Sequence, residues 1–242
     1  VRAIENSSKP GDIVVDFFSG SGTLAEAVMQ LNASDGSKRK YITVQLDENI
    51  DAMLKSSSAN ARRVAENAVS VLDELHLPRL ITELAKERIR RAGDKIKAEA
   101  GLTAQNLDIG FRVLKLDDTN MNDVYYAAGD YTQDLIMQME SNIKPDRTDM
   151  DLLYGCLLDW GLPLSMPHSH EKIDGFTVHT YNDGDLIACF EEKISEKAIR
   201  EIASRKPLRA VFRDSSFNSS PEKINVFEIF KLLAPNTNVR VI

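Results

Sequence analysis

The pattern of apolar and polar positions predicts a β-α-β unit near the start of the chain. Residues 12–17 (DIVVDF) are apolar and rich in β-branched side chains, which predicts a strand buried on both faces of a parallel sheet. Apolar residues then recur at helical spacing over residues 23–31, and residues 41–46 (YITVQL) predict a second strand. A strand, a helix and a second strand in this order are typical of α/β folds.

The pattern changes to mostly helical segments after the second strand. It predicts a helix in pieces over residues 51–75, a long amphipathic helix over 81–100, a strand over 110–116, a mostly helical segment over 123–143 and a linker over 144–148. We therefore predict one domain at residues 1–148, which holds the β-α-β unit and a helical extension.

A second pattern starts near residue 149 and predicts a small α+β domain at residues 149–242. The predicted elements are a helix over 152–160, a hairpin within 171–190 that turns at Asn182-Asp183-Gly184, a helix over 195–204 capped by Ser195, a strand over 208–212, a helix over 224–233 and a strand over 239–242.

The composition indicates a globular protein with an ordinary charged surface. The chain has 242 residues, of which 43% are hydrophobic and 28% are charged, and its formal net charge is -7. No apolar run approaches the roughly 20 residues of a membrane span, and residues 1–10 are polar, so we expect a cytoplasmic protein. The two cysteines, Cys156 and Cys189, stand in apolar stretches and are interpreted as buried small hydrophobes.

The candidate chemistry lies directly after the first predicted strand. This segment consists of Asp16, Phe17, Phe18, Ser19, Gly20, Ser21, Gly22 and Thr23. Glycines between a strand and a helix let the backbone turn sharply and approach a ligand, and a helix N-terminus offers free N–H groups. Dinucleotides and S-adenosylmethionine both use such a loop, the first through pyrophosphate and the second through its carboxylate.

Three features favour S-adenosylmethionine over a dinucleotide. Asp16 ends the strand, where its carboxylate could hold the methionine ammonium, and Phe18 could pack on the adenine. Ser21 and Thr23 add hydroxyl groups at the start of the helix. The spacing of Gly20, Gly22 and Ala25 also fits the dinucleotide fingerprint, so a nicotinamide-dependent oxidoreductase remains an alternative.

The segment DFFSGSGT is similar to the cofactor motif of amino-methyltransferases that act on DNA. Other segments resemble the modification subunits of type III restriction-modification systems in particular, namely residues 25–48, 85–96, 110–117, 157–167 and 208–217. The resemblance implies a partial Rossmann-like, S-adenosylmethionine-dependent methyltransferase core with adenine N6 as the target. It also implies double-stranded DNA and a restriction (helicase/nuclease) subunit as partners, and a homodimer for the full-length protein.

The chain departs from this family in two respects. Gln45 stands where the second strand usually ends in a carboxylate that holds the ribose hydroxyls, with Asp47 as the reserve candidate. The family's D/N-P-P-Y/F/W tetrapeptide, which holds the target amine and stacks on the flipped base, is absent, because none of the eight prolines is adjacent to another. We therefore assign no catalytic residue and expect a C-terminal piece of such a subunit, inactive alone.

Two further groups have alternative interpretations. Lys86, Arg88, Arg90 and Arg91 could contact DNA phosphates, although a solvated helix face is the more common use of such residues. His168 and the histidine two residues later are interpreted as a loop, and we assign no metal. The second domain shows no catalytic constellation, so a non-catalytic assembly or DNA-positioning module is a further alternative.

Overall fold

The computed structural model of the chain forms two compact units, Val1–Val113 and Leu114–Ile242. It describes residues 1–55, 58–101, 107–122 and 142–242. The structure is mixed α/β, as the sequence predicts. The domain boundary predicted at residue 148 stays a prediction, and the boundary between the compact units lies at residue 113.

The first unit contains the predicted β-α-β unit and the predicted long helix. Its elements are α1 (Arg2–Ser7), β1 (Ile13–Asp16), α2 (Thr23–Asp35), β2 (Lys40–Thr43), α3 (Asp51–Leu54), α4 (Ala59–Glu74) and α5 (Ile81–Ala100). Strands β1 and β2 pair in parallel, with Ile13 beside Lys40 and Asp16 beside Thr43. Helix α1 was not predicted from the sequence.

Helix α2 has two packed faces and so organises this unit. Ala25 and Met29 pack against Ile89 and Ile96 of α5, because apolar residues four positions apart share one helix face. The opposite face of α2 packs against Ile4 of α1 and against the two-stranded sheet. The glycine loop therefore lies between strand β1 and helix α2, and α5 packs against α2.

The two-stranded sheet is covered on one face within the described residues. Ile13 and Val15 are 58% and 45% exposed, and Ile42 and Val44 are 50% and 45% exposed. The prediction that the first strand is buried on both faces is therefore wrong for this structure. Its apolar composition indicates a strand but does not show which faces are covered.

The predicted strand over residues 110–116 is also wrong, because this segment has no strand partner and forms no regular element. Ile109 and Phe111 instead pack against α5, where Gly93 leaves space for Ile109. Residues 123–141, which include most of the predicted helix over 123–143, lie outside the described residues.

The second unit is built on a five-stranded mixed sheet in the order β3-β4-β5-β6-β7. Its elements are α6 (Asp149–Asp159), β3 (His168–Ile173), β4 (Phe176–Tyr181), a 3₁₀ turn (Asn182–Gly184), β5 (Leu186–Cys189), α7 (Glu196–Ser204), β6 (Arg209–Phe212), a 3₁₀ turn (Asp214–Ser216), α8 (Ser220–Leu233) and β7 (Asn238–Val241). Strands β3 to β5 are antiparallel and β5 to β7 are parallel.

Helices cover both faces of this sheet. Alternate residues of β5 point to opposite faces, so that Ile187 and Cys189 pack with α7 and α8 while Leu186 and Ala188 pack with α6. All four residues of β5 are at most 2% exposed. Within the described residues, every helix of the chain is too short or too polar to cross a membrane.

Candidate functional site: the glycine loop after strand β1

The loop after β1 is held by a backbone hydrogen bond to the residue that follows β2, by a backbone hydrogen bond within the loop and by one side-chain turn. The Asp16 Oδ1 accepts from the Phe18 N–H at 3.0 Å, which closes a turn of the kind that aspartate favours. The Ser19 N–H donates to the Val44 carbonyl at 3.2 Å, and the Gly22 N–H donates to the Ser19 carbonyl at 2.9 Å. The loop therefore has a defined path from the strand end to α2.

The two glycines are required for different reasons. Gly20 has a φ of +52°, and a Cβ there would meet no heavy atom within 4 Å. Gly22 has a φ of +78°, and its Cβ would lie 3.1 Å from the Ile89 Cγ1 of α5. Gly22 thus allows the loop to pack on α5, while Gly20 leaves open space above the loop, where a ligand can approach the backbone.

Gln45 contacts the loop itself. Its Oε1 accepts from the Gly20 N–H at 2.9 Å, and its Nε2 donates to the Leu46 carbonyl at 3.3 Å. Asp47 accepts from the Thr82 hydroxyl at 2.6 Å. The sequence did not indicate that Gln45 holds the loop, since the two hydrogen-bonded residues are 25 positions apart. Binding of a ribose by Gln45 or Asp47 stays a prediction.

The solvent side of the loop carries two exposed aromatic rings. Phe17 is 67% exposed and Phe18 is 89% exposed. An exposed phenyl ring next to an open glycine offers a flat apolar surface on which a planar base can stack. The Asp16 carboxylate and the Ser21 hydroxyl lie on the same short loop, so polar groups stand beside this surface. The loop thus combines a flat apolar surface with polar groups.

A contact that the sequence did not predict joins α5 to the loop. The Arg88 Nη1 donates to the Ser21 Oγ at 2.7 Å and to the Thr23 Oγ1 at 2.9 Å. The Arg88 Nη2 also pairs with the Glu26 carboxylate at 2.8 Å. The sequence offers no local signal for this contact, because 67 positions separate Arg88 from Ser21.

The other three basic residues predicted to contact DNA phosphates pair with acidic residues on α5. Lys86 lies 2.5 Å from Glu83, and both Arg90 and Arg91 pair with Glu87, at 3.4 and 2.6 Å. Each of these positive charges is thus balanced by a carboxylate of the same helix. Contact of these residues with DNA therefore stays a prediction.

The second unit contains three histidines on neighbouring strands, outside the loop site. His168 and His170 lie on β3, so their interpretation as a loop is wrong. The His168 Nε2 lies 3.1 Å from the His179 Nδ1, and the His179 Nε2 lies 3.2 Å from the Asp149 carboxylate. Among the described residues, no group of three histidine, cysteine or acidic side chains has the arrangement of a metal site.

The two cysteines are buried and free, as predicted. Burial raises the pKa of the Cys156 and Cys189 thiols to about 11. Neither thiol is therefore a ready nucleophile at neutral pH, because the thiolate is the reactive form.

Comparison with known families identifies the class of the loop-bearing segment. Residues 1–56, which span β1, the glycine loop, α2 and β2, match the family model described as DNA methylase. The remainder of the chain lies outside this match.

Similarity to particular proteins extends much further along the chain. The Mod subunit of the type III restriction-modification enzyme EcoPI, from Escherichia phage P1, is 25% identical over 91% of the chain. That of EcoP15I, from Escherichia coli, is 28% identical over 87% of the chain. That of StyLTI, from Salmonella typhimurium, is 35% identical over 41% of the chain.

The resemblance to type III modification subunits that the sequence predicts is thus confirmed. The chain spans 31% of the length of the EcoPI subunit, 29% of the EcoP15I subunit and 12% of the StyLTI subunit.

Proposed function

We propose that this chain supplies the methyl-donor loop of a DNA methyltransferase that acts as the modification subunit of a type III restriction-modification system. The donor is S-adenosylmethionine and the target is the N6 amine of adenine in double-stranded DNA. The observation that carries the proposal is the loop after β1, which lies inside the segment that matches the DNA methylase family. The fold proposed for the complete catalytic domain is Rossmann-like.

Four groups of the loop would hold the donor. The Asp16 carboxylate pairs with the ammonium group, the Phe18 ring stacks on the adenine, and the hydroxyls of Ser21 and Thr23 donate to the carboxylate. Gly20 leaves room for the ligand beside the backbone. The sulfonium of the bound donor supplies the methyl group. The residues that would hold the target amine are not in this chain, which has no adjacent prolines.

The resemblance to type III modification subunits also supports proposals about the binding partners and oligomeric state of the full-length protein. We propose that it binds double-stranded DNA, associates with a restriction subunit, and forms a homodimer. Residues 149–242 are proposed as a separate domain that serves this assembly.

Substitution of Gly20 by valine tests the loop assignment. A Cβ at this position would meet no protein atom within 4 Å, so the new side chain would extend into the space proposed for the donor. We expect Gly20→Val to weaken binding of S-adenosylhomocysteine, measured by calorimetry on the protein at its natural length, by at least about 10-fold, since a steric clash with the ligand exceeds about 1.4 kcal/mol.

Gly36→Val is the matched control for this experiment. Gly36 ends α2 with a φ of +69° and also has nothing within 4 Å of its Cβ, so its variant carries similar backbone strain away from the loop. Equal weakening by both variants, or unchanged affinity in Gly20→Val, would contradict the assignment. Binding of NAD⁺ in place of S-adenosylhomocysteine would favour the oxidoreductase alternative.

The 242-residue chain alone should transfer no methyl group to DNA. Methyl transfer needs the target amine held in line with the sulfonium, and this positioning supplies much of the rate. A tritiated-methyl assay on mixed-sequence DNA checks this, with the protein at its natural length as the positive control. Transfer above background by these 242 residues would show that the amine-binding groups lie within them.

A further inference from the structure

Arg88 donates hydrogen bonds to two hydroxyl groups at the end of the glycine loop and can therefore orient their hydrogens. Its Nη1 donates to two hydroxyl oxygens, the Ser21 Oγ at 2.7 Å and the Thr23 Oγ1 at 2.9 Å. The next residue, Ile89, packs beneath Gly22, so the helix that carries Arg88 is fixed against the loop. The contact is therefore part of the packed structure of this unit.

The direction of these hydrogen bonds is fixed by chemistry. A guanidinium has only donors, so both hydroxyl oxygens must act as acceptors toward Arg88. Each hydroxyl keeps its own hydrogen, which must then point away from the guanidinium. Among the described residues, the Ser21 and Thr23 hydroxyls donate to no other protein group. The loop thus presents two hydroxyl donors side by side, an arrangement suited to a carboxylate.

Because Glu26 balances the charge of Arg88, we expect Arg88 to act on the loop through the direction of its hydrogen bonds more than through its positive charge. Its carboxylate accepts from the Arg88 Nε at 3.2 Å and from the Nη2 at 2.8 Å. This pairing holds the guanidinium plane and balances its positive charge. The contribution of Arg88 to an anionic ligand therefore depends on its fork of N–H groups, which a lysine cannot reproduce.

We infer that Arg88 is a positioning residue of the donor site, which turns the Ser21 and Thr23 hydroxyls into donors for the carboxylate of the aminoacyl group. This inference rests on the proposed function and adds the residue that gives the site selectivity for an aminoacyl nucleoside over a nucleoside without a carboxylate. It assigns to Arg88 a role different from contact with DNA phosphate.

Two ligands that differ only in the carboxylate test the inference. Calorimetry on the protein at its natural length compares S-adenosylhomocysteine with the analogue in which hydrogen replaces that carboxylate. We expect Arg88→Met to weaken the first ligand about 10- to 100-fold, the range for loss of hydrogen bonds to a charged group, and to leave the affinity for the analogue unchanged.

Three further variants separate positioning from folding and from charge. The double variant Ser21→Ala with Thr23→Val keeps Arg88 and should show the same selective loss. Arg88→Lys keeps the charge without the fork and should behave like Arg88→Met. Lys95→Met, an exposed substitution on the same helix, should bind both ligands as the unmodified protein does.

The outcomes distinguish the two proposals. If the unmodified protein binds neither ligand, the proposed function fails and this inference fails with it. If it binds both ligands equally well, the proposed function stands and the role of Arg88 is overturned. Equal weakening of both ligands by Arg88→Met, together with normal selectivity in the double hydroxyl variant, shows a purely structural role and also overturns it. Full rescue by Arg88→Lys overturns the directional mechanism.

Discussion

Apolar strands occur in both sheets of this protein, but they are buried to very different extents. In the five-stranded sheet, every residue of β5 is at most 2% exposed, because helices pack on both faces. In the two-stranded sheet, Ile13 and Val15 of β1 remain 58% and 45% exposed. Short apolar strands therefore occur in both arrangements, and the difference comes from the elements that cover them.

The better-covered sheet and the candidate functional site lie in different units of the chain. The five-stranded unit has a core on each face of its sheet and contains the elements needed to cover it. The two-stranded sheet has one covered face, and the glycine loop follows its strand β1, at the strand end where ligands bind in open α/β sheets. The protein thus concentrates its buried apolar surface in one unit and its candidate chemistry in the other.

The largest expected effect in this comparison comes from a core substitution in the five-stranded sheet. Phe212 is fully buried and makes edge contacts with Phe217 and Phe230. We expect Phe212→Ala to destabilise this unit by about 3–5 kcal/mol, through lost burial and a residual cavity. Urea unfolding followed by the fluorescence of Trp160, the single tryptophan of the chain, measures the change.

Val15→Ala is the matched variant in the two-stranded sheet. Because Val15 is already 45% exposed, this truncation should cost less than about 1 kcal/mol, measured by the circular dichroism transition of the whole chain. A cost of Val15→Ala that equals that of Phe212→Ala would remove the distinction between the sheets.

Limited trypsin digestion sharpens the comparison by mapping the boundary between the units. Lys115 lies in an exposed segment without regular structure, whereas Arg147 is only 9% exposed in its side chain and pairs with Asp117. Since cleavage requires exposed and adaptable backbone, we expect an early cut after Lys115 and slower cutting after Arg147. An early cut after Arg147 that leaves a stable fragment of residues 148–242 would support the boundary predicted from the sequence.

The smallest expected effect is the acid response of the five-stranded unit. Hydrogen bonds from the Thr177 hydroxyl, the Lys172 ammonium and the Thr177 N–H lower the pKa of Glu191 to about 2, from its ordinary value of 4.5. A lowered folded-state pKa stabilises the fold above 4.5, and this stability is lost as pH falls from 4.5 toward 2. The contribution is no more than about 1 kcal/mol, because the side chain is partly exposed.

Glu191→Gln should remove this acid response. Unfolding midpoints in urea, recorded between pH 7 and pH 2.5, should fall less steeply in the variant than in the unmodified protein. Glu192→Gln, one residue further along at an exposed position, is the control. An identical pH dependence in all three proteins would show that Glu191 does not link protonation to folding.

Local periodicity was sufficient to predict several elements at nearly their observed bounds. The helix Ile81–Ala100 has the predicted limits, because four apolar residues at helical spacing define its buried face and Gly101 follows it. Ser195 caps its helix as predicted, with its side chain accepting from the Ala198 N–H.

The missed features depend on residues that are distant in sequence. Strand β3 has the polar sequence HSHEKI and lies at the sheet edge, so its pairing with β4 has little apolar signature. Residues 110–116 have an apolar pattern but find no strand partner. The contacts of Gln45 and Arg88 with the loop span 25 and 67 positions, which no local pattern reveals.

Helices α3 and α4 lie in a segment of the first unit whose two ends are adjacent. The Ile50 N–H donates to the Arg79 carbonyl and the Ile81 N–H donates to the Glu48 carbonyl, both at 2.9 Å, so the two ends of this segment are adjacent. Leu72 lies at the centre of a small core, against which Ile81 and Leu84 of α5 also pack. Every loop contact described above comes from outside residues 49–80.

Adjacent ends make residues 49–80 a suitable place for an insertion. Closing a loop between ends that already meet costs little free energy and depends only weakly on loop length. An insertion within this segment can therefore leave the glycine loop in place. For protein engineering, it is the place where a tag or a second domain can be grafted while the geometry from Asp16 to Arg88 is kept.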